Sequence, residues 1–155
     1  MKGSRLRNRD RYLEEAMLFR DTDLIKVITG VRRCGKSSLL DLIRMAIESE
    51  GVAGRGFVSV NLESKGTGIK TEDQLYDYVR GRLSDKGRTY VFIDEPQRID
   101  GWQDAVNAMR VDFDCDIYLT GSNAYLLSSE LATYLSGRYV EVKMLPLSFS
   151  EFADF

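Results

Sequence analysis

Gly30-Val31-Arg32-Arg33-Cys34-Gly35-Lys36-Ser37 reads G-x-x-x-x-G-K-S, the spacing of a glycine-rich loop that wraps nucleotide phosphates. The flanks decide what the string means. Leu24-Ile25-Lys26-Val27-Ile28-Thr29 before it reads as a buried strand. Ser38 to Ile47 after it reads as a helix, with apolar residues at 39, 40, 43, 46 and 47. Strand, tight loop and helix start together form an anion site. Backbone N–H groups converge there, and the helix dipole favours negative charge. The string alone arises by chance in roughly one chain of this length in a few hundred. A basic turn before a helix would explain the letters but not their setting.

Each position of the loop then acquires a role. Gly30, Val31, Arg32, Arg33, Cys34, Gly35, Lys36, Ser37 and Ser38 form the nucleotide-binding segment. The Lys36 ammonium is expected on the β- and γ-phosphates, where it neutralises charge during phosphoryl transfer. The Ser37 hydroxyl is expected on Mg²⁺. Arg32 and Arg33 fill free positions and are expected to face solvent. Cys34 is read as a small residue that fits the turn.

Outward from the loop, strands and helices alternate. Asp10 to Arg20 reads as a helix, Gly56 to Leu62 as a second strand and Ser64 to Lys70 as a loop. Thr71 caps a helix running to about Leu83. Tyr90-Val91-Phe92-Ile93 is a third strand, apolar throughout, as strands buried on both faces are. Trp102 to Arg110 is a short helix, Asp116 to Thr120 a fourth strand, Tyr125 to Tyr134 a helix and Tyr139 to Met144 a fifth strand. The alternation predicts an α/β fold with a parallel sheet covered by helices.

The third strand ends in Asp94-Glu95. The carboxyl ends of strands face the ligand crevice of open α/β sheets. With the phosphate loop upstream, Asp94 is assigned to Mg²⁺ and Glu95 to the attacking water, as its general base. Thr120-Gly121-Ser122-Asn123 opens onto the same edge. A polar side chain there either contacts the γ-phosphate or the lytic water, or caps the following helix. Arg138 precedes the fifth strand, as a surface charge or as an arginine serving a neighbouring subunit's γ-phosphate. Asn61 either contacts Glu95 from the side or simply ends the second strand.

Composition narrows the remaining chemistry. The 155 residues suit one compact domain, and 43% hydrophobic content excludes a disordered chain. Absence of histidine removes Ser–His and Cys–His catalysis and the usual zinc sets. Cys34 and Cys115 lack paired metal-ligand spacing and point to a reducing compartment. With no apolar run long enough to span a membrane and no apolar leader, the expectation is a cytoplasmic protein without membrane insertion. A net charge of −2 gives no global drive toward nucleic acid. The basic stretch Lys2, Arg5, Arg7, Arg9 and Arg11 reads as a solvated tail, with a nucleic-acid contact as the weaker option.

In this order the motifs resemble the AAA+ superfamily of P-loop ATPases. The closest resemblance is to prokaryotic AAA-type ATPases that carry an uncharacterised C-terminal domain. Ile28 to Ser37, Phe92 to Gln97, Leu119 to Ala124, Leu135 to Tyr139 and Pro146 to Phe149 carry the match. The resemblance implies a three-layer α/β/α core with a five-stranded parallel sheet in the order 5-1-4-3-2. It implies ATP and Mg²⁺ as ligands, Lys36 and Ser37 in the Walker A loop, and Asp94 and Glu95 as the Walker B pair. Ser122 or Asn123 becomes the sensor, Arg138 an arginine finger acting in trans within a homo-oligomer, and Asn61 the partner of the catalytic glutamate. Pro96 stands where the family more often has an aliphatic residue.

Family members continue beyond the point matching Phe155 into a helical lid and further domains. Residues 1–155 are therefore expected to be the nucleotide-binding domain without lid or C-terminal domain, either as a fragment or as a short form. The function expected is Mg-dependent ATP hydrolysis. The alternatives are an ATP-binding switch or assembly module with negligible turnover, and a small-molecule kinase, against which the adjacent acids argue. The macromolecule acted upon is not legible.

Overall fold

The computed structural model describes residues 11–30, 35–51, 55–121 and 137–144. Five strands form one parallel sheet: β1 (Ile25–Thr29), β2 (Gly56–Asn61), β3 (Thr89–Asp94), β4 (Cys115–Gly121) and β5 (Tyr139–Lys143). Their order across the sheet is β2-β3-β4-β1-β5, the expected 5-1-4-3-2 read from the other side. Among the described residues four helices accompany them: α1 (residues 11–18), α2 (Lys36–Glu48), α3 (Glu72–Arg80) and α4 (Trp102–Asp112). The expected helix Tyr125 to Tyr134, the basic residues Lys2 to Arg9 and the Pro146 to Phe149 segment lie outside the described residues.

Burial follows position in the sheet. β1, β3 and β4 are buried at every residue, whereas the outer strands β2 and β5 are only partly so. Side chains alternate between the two faces of each strand. Ile28, Phe92, Tyr118 and Val142 pack with Ala16 of α1 and with Leu39, Ile43 and Ile47 of α2. Val27, Val91, Ile93 and Leu119 point the other way and pack with Leu75 and Val79 of α3 and Val106 and Met109 of α4. Two apolar layers therefore clamp the sheet, and its C-terminal edge is left to the loops.

Local signals explain most boundaries. Thr71 caps α3 in a reciprocal box: Gln74 N–H donates to Thr71 Oγ1 and Thr71 N–H donates to Gln74 Oε1, each at 3.2 Å. The helix stops at Arg80, short of the expected Leu83, where Gly81 N–H donates to the Asp77 carbonyl and Arg82 N–H to the Val79 carbonyl, each at 3.0 Å. The expected loop Ser64 to Lys70 contains a short 3₁₀ turn at Lys65–Thr67. No helix among the described residues is long and apolar enough to cross a membrane.

A buried ion pair lies within the expected buried strands. Lys26 of β1 and Asp116 of β4 are fully buried and bonded to each other. The second oxygen of Asp116 accepts from Tyr118 O–H and from Asp21 N–H, each at 2.9 Å. Tyr90 O–H donates to Asp21 at 2.6 Å. This network ties the link between α1 and β1 beneath the sheet, at the edge opposite the phosphate loop. Burial pushes the Lys26 ammonium below its ordinary range, and the facing Asp116 partly restores it.

Candidate functional site

The phosphate loop leaves β1 at Gly30 and enters α2 at Gly35. Gly35 has φ 97° and ψ 22°, a left-handed conformation that favours glycine. No side chain caps α2, and its first turn holds no acid. The N-terminal dipole is thus uncompensated by any carboxylate of its own helix, the condition an incoming phosphate requires. Lys36 is buried, and its Nζ donates to the Gly30 carbonyl at 2.8 Å, across the mouth of the loop. Val31, Arg32, Arg33 and Cys34 lie outside the described residues.

Register brings the acids to the same edge. Asp94 ends β3, with Asn61 of β2 on one side and Thr120 of β4 on the other. Its carboxylate is shared: Ser37 Oγ donates to Oδ2 at 2.5 Å, and Thr120 Oγ1 donates to Oδ1. Thr120 also accepts from Glu95 N–H at 3.2 Å, so one buried hydroxyl joins both acids. Beside Ser37 and Asp94 opens a cavity of about 290 Å³, which Asp41, Ser59 and Asn61 also line.

The donor chemistry suits Mg²⁺. A hydroxyl and a carboxylate in contact are hard oxygen ligands, and the adjoining cavity, lined by Asp41, Ser59 and Asn61 and also by Leu40, Val60 and Phe92, has room for a water shell. Among the described residues no group of three or more His, Cys, Asp or Glu could cage a metal.

Three other residues take distinct places. Glu95 is half-buried, with φ 62° and ψ 55°, and Pro96 begins a 3₁₀ turn directly after it. Its carboxylate accepts from Gln97 Nε2 and not from Asn61. Asn61 Oδ1 instead accepts from Glu63 N–H at 3.0 Å, as a polar strand end does. Arg138 is exposed, and its carbonyl accepts from Ile25 N–H at 2.9 Å, at the start of β1. The phosphate loop leaves the other end of β1, about 16 Å away at 3.3 Å per residue. Ser122 and Asn123 lie outside the described residues, immediately after β4.

The structure brings Lys36, Ser37, Asp94 and Glu95 to one edge of the sheet and adds two contacts that the sequence does not announce, from Gln97 and Thr120. Both stand inside the motifs that follow from β3 and β4. Their contacts depend on the left-handed turn at Glu95 and on strand register, which no local pattern announces.

Comparison with known proteins bears on the family and the fold. Residues 22–153 match the AAA domain family. An uncharacterized protein of Haemophilus influenzae is 48% identical over 147 residues, covering 94% of this chain and 37% of that protein. An uncharacterized protein of Methanocaldococcus jannaschii is 36% identical over 132 residues, covering 84% of this chain and 28% of its own length. The chain therefore spans about a third of these relatives. Among solved structures, Saccharomyces cerevisiae RIF2 superposes with a TM-score of 0.63 at 12% identity, covering 93% of this chain and 58% of that one. A DNA polymerase III gamma subunit-related protein of Thermotoga maritima gives 0.60 at 15% identity, covering 92% and 48%. At these identities the structural matches speak for the fold alone.

Proposed function

The chain belongs to the AAA domain family, and on that premise we propose that it binds Mg-ATP at Gly30 to Ser38 and hydrolyses it. The observation supporting this most directly is the meeting of Ser37 and Asp94 at 2.5 Å beside the buried Lys36. Lys36 exchanges its bond to the Gly30 carbonyl for the β- and γ-phosphates. Ser37 and Asp94 would hold Mg²⁺, which would supply positive charge to neutralise the phosphates. Glu95 receives the proton of the attacking water. Ser122 or Asn123 contacts the γ-phosphate.

Arg138, at the edge of the sheet opposite the phosphate loop, serves a second copy of the chain as an arginine acting in trans. ATP rather than another nucleoside triphosphate follows from the family. What the hydrolysis drives belongs to the longer proteins that share this domain.

The test is phosphate release from Mg-ATP across a wide range of protein concentration. Release should rise faster than in proportion to protein, and Arg138→Ala should remove that steepness. Glu95→Gln should abolish release while nucleotide binding persists. Binding without release at every concentration would contradict hydrolysis and favour a nucleotide-dependent switch.

A further inference from the structure

The turn after β3 holds a contact that these roles leave unused. Glu95 sits in the left-handed region, which a residue with a Cβ occupies only when its surroundings enforce it. Here they do. Its N–H donates to Thr120 Oγ1, its carbonyl accepts from Arg98 N–H at 3.3 Å, and the residue that follows it, Pro96, has φ fixed by its ring. Pro96 and Ile99 are buried, and Ile99 N–H donates to the Pro96 carbonyl at 3.0 Å. The turn is a fixed platform, and Gln97 stands on it.

From that platform Gln97 Nε2 donates to Glu95 Oε2. Glu95 Oε1 accepts from no described residue. The other end of the Gln97 amide is costly: its Oε1 is buried without a hydrogen-bond partner among the described residues. A buried acceptor left unpaired destabilises a fold, and an apolar side chain of the same length would avoid that cost. Stability does not explain this glutamine, whereas its N–H bond to Glu95 does.

We propose that Gln97 is the positioning residue of Glu95, holding one carboxylate oxygen so that the other is presented to water. The proposal rests on Glu95 being the general base. A neutral amide suits the task. A cation would clamp the carboxylate harder but weaken it as a proton acceptor, and a second acid would repel it.

Gln97→Met tests it by keeping the length while removing both the donor and the orphaned carbonyl. The kcat for phosphate release should fall at least about tenfold, as expected when a reacting group is misplaced. KM for Mg-ATP should stay unchanged, and the thermal midpoint should hold or rise. Wild-type kcat in this variant, or kcat falling together with the midpoint, overturns the proposal. A readout independent of turnover separates it from the hydrolytic reading. In the nitrogen–proton spectrum of the wild-type chain, one Gln97 side-chain amide proton should lie downfield, and Glu95→Ala should return it to the free-amide position. A free-amide signal in the wild type overturns the clamp even if ATP is hydrolysed. A wild-type chain without turnover overturns hydrolysis, and the amide signal then decides the clamp.

Discussion

Asp94 and Cys115 show how far one residue's role depends on what faces it. Asp94 ends a strand with both carboxylate oxygens engaged, one by a loop serine and one by a buried threonine. The acid pair was legible in the sequence because an apolar strand ending in two acids after a phosphate loop has few other uses. The threonine link was not, because it depends on which strand lies beside β3. Cys115 is the opposite case, a thiol withdrawn from chemistry. Burial pushes it from 9.0 up to about 12, against a smaller opposing pull from Arg88. Its folded value lies above its unfolded one. The stability it contributes is therefore complete below pH 9 and is lost as the pH rises toward 12. In a Cys34→Ser background, Cys115 should resist a thiol reagent at pH 8 until denaturant unfolds the chain. Labelling of the folded protein at the unfolded rate would show that the thiol is exposed.

At the scale of elements, the apolar runs of β1, β3 and β4 and the cap at Thr71 were readable, since each is a local pattern. The strand order came only through the family resemblance, because periodicity says which face is buried and not which strand is the neighbour. Lys26 was hidden for a related reason. A lysine in an apolar run normally reaches out to solvent along its stem, and its partner Asp116 lies far along the chain. The pair makes a sharp prediction. Asp116→Leu leaves an ammonium buried without its carboxylate and should destabilise the domain by about 3–5 kcal/mol. Adding Lys26→Met should recover much of that loss, because an apolar pair removes the desolvation cost as well. Denaturant unfolding of the two single variants and the double variant measures this. Additive losses would mean that the two residues act independently.

Over the whole molecule, the sheet separates two polar regions. The C-terminal edge gathers Lys36, Ser37, Asp94, Thr120 and Glu95 around an uncapped helix end, and the opposite edge carries the Lys26 network and Arg138. The apolar layers of α1 with α2 and of α3 with α4 fix this arrangement by holding both faces of the sheet. The central claim is that the first region is a nucleotide site, and equilibrium titration of the chain with Mg-ATP tests it most directly, with Lys36→Ala measured alongside. The account predicts saturable binding that weakens at least about tenfold when the ammonium is removed, the loss expected for a charged hydrogen bond. Equal affinity in the two proteins, or no binding by the wild type, would contradict it.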